Sequence, residues 1–301
     1  MNLLDPELSA ATHRDSVRGR ILQQRYPIHV AGFLASEDRA SRTYAEYTRA
    51  RCEEAGLRFD LEVCAPNAVE QRISQANQDP GIHGVFVYYP VFADGRDARL
   101  KDQVAPHKDV EGLCAYWMEK LYLDERFDDP QKRHKCLLPC TPLAVLKLLE
   151  GTEAHSDTGL PLAGQVVSVF NRSDVVGRPL AHMLANDGAV VHSFELEGGR
   201  TLTRENPQGM PVRRAEALRE SGVVVTAVPS KDFEKIRASE LKDGAICVNI
   251  AAVKNFEDDA VEKAGLYIPR VGPMTVAMCL RNALRLYEDH HLPLGASPAA
   301  R

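Results

Sequence analysis

The 301-residue chain has no uninterrupted apolar run near the roughly 20 residues that a membrane-spanning helix needs. Its opening stretch, MNLLDPELSAATHRDSVRGR, lacks the continuous apolar segment of a secretory signal, and Asp5, Glu7 and Asp15 give it more acid than a transit peptide carries. The expectation is a cytoplasmic protein with no membrane partner. No sustained Lys/Arg run occurs and the formal net charge is -5, so the basic footprint of a nucleic-acid binder is missing as well. Seven cysteines form no CxxC pair and no Cys/His cluster with zinc-finger spacing; they read as reduced thiols, with no structural metal. There is no internal repeat, and low complexity is confined to the Pro/Ala-rich end. Small molecules are left as the default partners.

What is present is an alternation. Hydrophobic residues make up 44% of the chain, enough for one or two cores, and two domains are expected. HVAGFLA (29–35) reads as a buried strand, ASRTYAEYTRARCEEAG (40–56) as a helix closed by its glycine, LRFDLEVCA as a strand, NAVEQRISQANQ as a helix and GVFVYYPVF (84–92) as a strand. Strands alternating with helices imply a parallel sheet covered by helices. The charged stretch DERFDDPQKRHK (124–135) is a solvated loop or linker, and TPLAVLKLLEG has helical spacing. From Val166 the alternation resumes: VVSVF, the RPLAHMLAND helix, AVVHSFE, a polar segment to about Glu216, SGVVVTAVP, a short helix and GAICVNIAA. That second half reads as a doubly wound unit. The last helix, TVAMCLRNALRLYEDH, must bury its apolar face against something already built.

NRSDVVGRPLAHMLANDG (171–188) occupies the frame of a dinucleotide-binding turn, but Asn171 stands where the first glycine of the fingerprint is expected. Asn tolerates the left-handed conformation better than most residues. Arg172 and Ser173 can donate to phosphate or ribose, Val176 and Gly177 open the helix, and Gly177 permits close packing. The same stretch also reads as an ordinary strand-to-helix turn capped by serine. Glu195 ends the next strand about 20 residues on, where an acid accepts the ribose 2′-OH of NAD and repels the 2′-phosphate of NADP. NAD is the expected cofactor, with Arg172 keeping NADP open.

YAEYTRARCEEAG, GVFVYYPV, KDVEG, LPCTPLAV, NRSDVVGRPLAHML and VGPMTVAM follow one another in the order of matching motifs in the methylenetetrahydrofolate dehydrogenase/cyclohydrolase family, which the chain resembles from about His29 to Leu286. The resemblance implies an α/β fold of two domains with parallel sheets: a folate-binding domain, 1–142, completed by the C-terminal helix (273–295) packing back on it, and a Rossmann-like NAD-binding domain, 143–272. It also implies a homodimer and a place in one-carbon metabolism and purine biosynthesis. The departures point to a monofunctional, NAD-dependent branch. Leu196, after Glu195, stands where the family's usual serine is. In the Tyr-x-x-x-Lys pair of the cyclohydrolases the tyrosine matches Tyr44 but the lysine position holds Thr48, and the partner glutamine matches Tyr88. Tyr44 and Thr48, four apart, share a helix face.

By the same resemblance Tyr44, Tyr88 and Tyr89 line the folate, Glu111 is its acidic anchor and Cys140 lies beside it. Pro273 shapes a folate-side loop, Thr275 faces cofactor or folate, and Ala227, Val228 and Pro229 flank the nicotinamide half. Read from the residues alone, Glu111 is also compatible with a solvated charged loop beside Lys108 and Asp109, and Cys140 with a buried small hydrophobe. The expected activity is NAD-dependent oxidation of 5,10-methylenetetrahydrofolate with little or no cyclohydrolase. The rivals are an NADP-linked bifunctional enzyme, a non-catalytic folate or nucleotide sensor, and a dehydrogenase of shikimate-like acids.

Overall fold

The computed structural model describes residues 2–36, 38–92, 94–171, 173–195 and 198–292. In chain order the elements are α1 (Pro6–Gln24), β1 (His29–Leu34), α2 (Arg39–Glu54), β2 (Arg58–Val63), α3 (Val69–Gln78), β3 (Gly84–Tyr88), α4 (Asp97–Lys101), α5 (Ala115–Tyr122) and α6 (Cys140–Leu149). They continue as β4 (Val166–Phe170), α7 (Gly177–Asn186), β5 (Val190–Glu195), β6 (Gly198–Leu202), β7 (Met210–Val212), α8 (Arg214–Glu220), β8 (Val223–Thr226), β9 (Ile246–Asn249), α9 (Asp258–Lys263), β10 (Leu266–Ile268) and α10 (Gly272–Leu286). Two compact units result. One comprises residues 11–140 and 276–292; the other comprises 2–10 and 141–275.

The first unit holds a parallel sheet in the order β2-β1-β3. Ala31, Phe33, Val85 and Val87 on one face pack against Val69, Ile73 and Ala76 of α3, burial that drives the α-on-β layering. α2 begins where the Asp38 side chain accepts from the N–H groups of Ala40 and Ser41. It ends at Gly56, whose φ of +90° is open to glycine at little cost. The strand expected over 84–92 ends at Tyr88. Pro90 has no N–H to pair, and the N–H groups of Val91 and Phe92 turn onto the Asp97 carboxylate instead.

In the second unit the strand order is β10-β9-β8-β4-β5-β6-β7. Five strands are parallel; β6 and β7 add antiparallel at one edge. The stretch read only as a polar segment to Glu216 holds these two antiparallel edge strands. Edge strands need only one buried face, so their sequence does not look apolar. The short helix expected after SGVVVTAVP is only a 3₁₀ turn at Ala238–Glu240. The N-terminal residues, unassigned from sequence, pair with β10 through Leu4 N–H to the Tyr267 carbonyl (3.1 Å) and Tyr267 N–H to the Asn2 carbonyl (2.9 Å). Because β4 has β5 on one side and β8 on the other, the strand order reverses there, and the carboxyl ends of these strands form the switch point at which such sheets bind ligands.

All seven cysteines are free thiols. Among the described residues no helix is long and apolar enough to cross a membrane, and no group of three or more His, Cys, Asp or Glu side chains could hold a metal ion.

After α10 the turn Tyr287–His291 docks on the first unit through imidazoles. His291 Nε2 lies 2.9 Å from the His107 carbonyl, and its ring centroid is 5.2 Å from that of His83 and 5.7 Å from that of His107. Burial pushes His291 down to about 4 and also lowers His83, His107 and His290, with Lys108 opposing protonation of His291 and His107. These rings fold neutral while the unfolded chain takes up protons near pH 6.5, so their stabilisation is present above that pH and lost as pH falls toward 4. The melting temperature is expected to drop over this interval, and less steeply in His291→Gln; identical slopes in pH-resolved thermal melts would contradict the assignment.

Candidate active site

KDVEG builds a candidate site in the first unit. The segment reads as a charged loop but is largely buried. Lys108 Nζ donates to the carbonyls of Ala76 (2.8 Å) and Asp79 (2.6 Å), ending α3. The Asp109 carboxylate accepts from the backbone N–H groups of Glu111, Gly112, Leu113 and Cys114 at 2.8–3.1 Å, folding the turn around itself. That turn lies along the outer edge of β3. Val110 N–H donates to the Val85 carbonyl (3.3 Å) and Glu111 Oε2 accepts from Val87 N–H (2.9 Å). Glu111 thus substitutes for a strand's carbonyl.

Burial raises the Glu111 carboxyl well above the usual range; Asp109 adds to this, while the Val87 N–H and Lys101 oppose it. Around it stand the other residues expected from sequence. Tyr44 and Tyr88 meet edge to face, ring centroids 6.1 Å apart. Thr48 is buried and its hydroxyl donates to the Tyr44 carbonyl at 2.9 Å. The Tyr88 hydroxyl lies beside Thr48; it and the Tyr89 hydroxyl are buried without a well-formed hydrogen bond. Burial keeps all three phenols un-ionised by raising them far above their ordinary value, with Glu111 adding to the rise at Tyr44 and Tyr89. Cys140 N–H donates to the Glu111 carbonyl (3.2 Å), and its thiol donates to the Val110 carbonyl (3.3 Å). Burial, then the neighbouring carboxyls, hold that thiol protonated, so it can donate a hydrogen bond but is not poised as a thiolate. The structure therefore gathers Tyr44, Thr48, Tyr88, Tyr89, Glu111 and Cys140 in one unit.

A second candidate site lies at the switch point of the second unit. Asn171, Ser173, Glu195 and Val228 line one pocket of about 800 Å³. Asn171 has φ +145°, a conformation that suits glycine, and its side chain holds it there: Nδ2 donates to the Ala227 carbonyl (2.8 Å) and Oδ1 accepts from Ser173 N–H (2.6 Å). Ser173 Oγ in turn accepts from Val176 N–H at 3.2 Å, so the capping reading of this turn holds together with the pocket-lining one. Val228 is held by Asn255, which accepts from its N–H (3.2 Å) and donates to its carbonyl (3.1 Å).

Gly177 is buried at the start of α7, and Ala227 is buried at the end of β8. Val176, Gly177, Ala227 and Pro229 adjoin the pocket in sequence without being among the residues that line it. Pro273 and Thr275 open α10 in this second unit, Thr275 with its hydroxyl on the Val271 carbonyl (3.3 Å), and neither lines the pocket. Arg172 and Leu196 lie outside the described residues.

Sequence reasoning missed Arg213, Arg214 and Phe233, which also line the pocket. Both cations are engaged within the protein. Arg214 is paired with Glu240 (3.1 Å) and lies over the rings of Phe170 and Phe233; Arg213 is paired with Glu216. Asn255 was missed too, having no motif to mark it.

Comparison with known proteins places these residues in a family. The tetrahydrofolate dehydrogenase/cyclohydrolase catalytic-domain family matches residues 4–111, and the tetrahydrofolate dehydrogenase/cyclohydrolase NAD(P)-binding-domain family matches 139–291. The chain is 41% identical over 279 residues to the methylenetetrahydrofolate dehydrogenase [NAD(+)] of Saccharomyces cerevisiae, covering 87% of each chain. It is 38% identical to the enzyme of that name from Schizosaccharomyces pombe, over 85% of this chain and 84% of the relative. The solved NAD-dependent 5,10-methylenetetrahydrofolate dehydrogenase of Saccharomyces cerevisiae superposes with a TM-score of 0.89 at 36% identity, covering 96% of this chain and 97% of that one.

Asn171→Ala loses two hydrogen bonds and keeps the Cβ that makes φ +145° costly, whereas Asn171→Gly loses the bonds but relieves the strain. Urea unfolding is expected to show Ala less stable by about 1–3 kcal/mol, with Gly closer to the wild type. Equal midpoints for Ala and Gly would remove the strain argument.

Proposed function

The chain belongs to the tetrahydrofolate dehydrogenase/cyclohydrolase family, and from that premise we propose that it oxidises 5,10-methylenetetrahydrofolate to 5,10-methenyltetrahydrofolate with NAD and hydrolyses the product little or not at all. The observation that carries the reading is Thr48. It stands where cyclohydrolases of the family have lysine, is buried, cannot carry charge, and spends its hydroxyl proton on the Tyr44 carbonyl. Hydrolysis of a methenyl cation loses its ammonium there, while hydride transfer does not depend on one. The folate nitrogen lone pair expels hydride from the methylene carbon and leaves a delocalised cation, a step that needs orientation and charge stabilisation rather than a general base.

The residues present suit both ligands. Glu111 has one carboxylate oxygen on Val87 N–H and the other available for the paired N–H donors of a pterin. Tyr88 and Tyr89 offer hydroxyl protons that the folded chain leaves without well-formed bonds. At the switch point, Glu195 lines a pocket large enough for the adenosine end of a dinucleotide, in place to accept from a ribose diol and to repel a 2′-phosphate. Arg213 and Arg214, the described cations that line the pocket, are paired with Glu216 and Glu240. NAD, when bound, supplies the hydride acceptor. We also take the protein to be cytosolic, homodimeric and part of the one-carbon metabolism that serves purine biosynthesis; the family resemblance supports the last two.

Absorbance of purified protein with 5,10-methylenetetrahydrofolate is expected to show reduction of NAD and little of NADP, and added methenyltetrahydrofolate is expected to decay no faster than its buffer blank. NADP preference would overturn the role of Glu195; enzyme-driven decay would overturn that of Thr48.

Glu111→Gln separates stability from activity. A carboxyl raised in the folded state binds its proton more tightly than in the unfolded chain, so its contribution declines as pH rises through and beyond the ordinary range near 4.5. Glu111→Gln is expected to melt higher than the wild type at pH 7–8 and to lose turnover by about a hundredfold or more, for want of the charge-assisted anchor. A lower melting temperature with activity kept would reverse both statements.

A further inference from the structure

We propose that Asn282 is a positioning residue of the folate site: its side-chain amide fixes the backbone on which Glu111 and Cys140 sit. The inference rests on the folate reading of that cluster, and no motif marked the residue. Asn282 lies on α10 with no exposed surface, on the stripe that also carries Met278 and Cys279. A buried asparagine among Met, Cys and Leu is costly unless its polar atoms are paired.

The pairing is specific. Asn282 Nδ2 donates to the carbonyls of Val110 and Leu138, both at 3.0 Å, and lies 3.5 Å from Cys140 Sγ. One amide group thus joins the residue before Glu111, the leucine of LPC, and the thiol itself. Val110 is held at both ends, by its N–H on the Val85 carbonyl and by its own carbonyl under Asn282 and Cys140. On the far side of Glu111, Gly112 passes so close to Leu138 that a Cβ would meet its carbonyl carbon at 2.9 Å. The Glu111 carbonyl receives Cys140 N–H. Glu111 is consequently fixed before, at and after its own Cα, and Asn282 supplies the contact that ties all three segments to α10.

The opposite edge of the amide makes the same point. Asn282 Oδ1 is buried without a hydrogen-bond partner. An acceptor left unpaired in the interior costs stability, so the residue is poorly explained as a stabiliser of the fold alone. Its donors are what the structure uses, and they converge on the turn that presents the folate anchor. A displacement of that carboxylate by about 1 Å is enough to cost on the order of a hundredfold in rate.

The test compares Asn282→Leu, which keeps the volume and removes both donors, with Asn282→Ser, which can keep one. Steady-state rates would be measured with 5,10-methylenetetrahydrofolate and NAD varied in turn, and NAD binding measured by titration of the folate-free protein. Asn282→Leu is expected to lower kcat/KM for the folate by about ten- to a hundredfold with NAD affinity within twofold of wild type, and to move the pH at which the Glu111-dependent limb of folate kcat/KM rises. Asn282→Ser is expected to fall between Leu and wild type. A folate kcat/KM within twofold of wild type in both variants, or a parallel loss of NAD binding and folate turnover with an unmoved pH limb, would overturn the proposal. Wild-type protein that fails to turn over the folate would instead refute the function on which it rests.

Discussion

The candidate site of the first unit depends on one carboxylate closing the edge of a sheet. β3 lies at the border of its sheet, and the turn at Asp109–Glu111 covers the exposed side: Val110 N–H takes the Val85 carbonyl, and the Glu111 side chain takes Val87 N–H. An unmet backbone N–H at that depth would be costly. Glu111 therefore has structural work before any ligand arrives. The geometry that satisfies β3 also leaves a second carboxylate oxygen beside Tyr44 and Tyr89, whose ionisation Glu111 opposes. The group proposed as the anchor is also architectural, and its burial is what raises its proton affinity.

The same device recurs at the switch point of the second unit, where side chains replace backbone. Asn171 stands in a conformation natural to glycine and is kept there by bonds to the Ala227 carbonyl and Ser173 N–H. Asn255 pairs with both polar atoms of Val228 as a neighbouring strand would. The ends of β4 and β8 are thereby tied by amides rather than by a glycine-rich loop. Such a frame is stiffer than glycine, which suits a pocket that holds one acid, Glu195, in its lining.

The parts of this architecture that could be read from sequence are those with local causes. The apolar runs of β1, β4, β8 and β9, the helix closed at Gly56, and the alternation that makes two α/β units all follow from spacing and turn chemistry. Tyr44 and Thr48 share a helix face because they are four apart, and Glu195 falls at a strand end. What could not be read has long-range causes. β6 and β7 carry edge-strand sequences with little apolar signal. Lys108 and Asp109 look like solvated charge until the carbonyls and N–H groups they meet are seen, some of them 30 residues away in sequence. Asn282 had a faint signal, a polar residue on an apolar helical stripe, but its partners at Val110 and Leu138 are 172 and 144 residues distant.

The claim on which the rest turns is that burial raises the proton affinity of Glu111 in the unliganded protein and that the folate takes its carboxylate as an anchor. Infrared difference spectroscopy over a pH series, with and without 5,10-methylenetetrahydrofolate, tests it directly. The account requires a protonated-carboxyl band, absent from Glu111→Gln, that persists above the ordinary carboxyl range near pH 4.5 and is displaced to lower pH by the folate. A wild-type spectrum with no such band, or one that folate leaves unchanged, would contradict it.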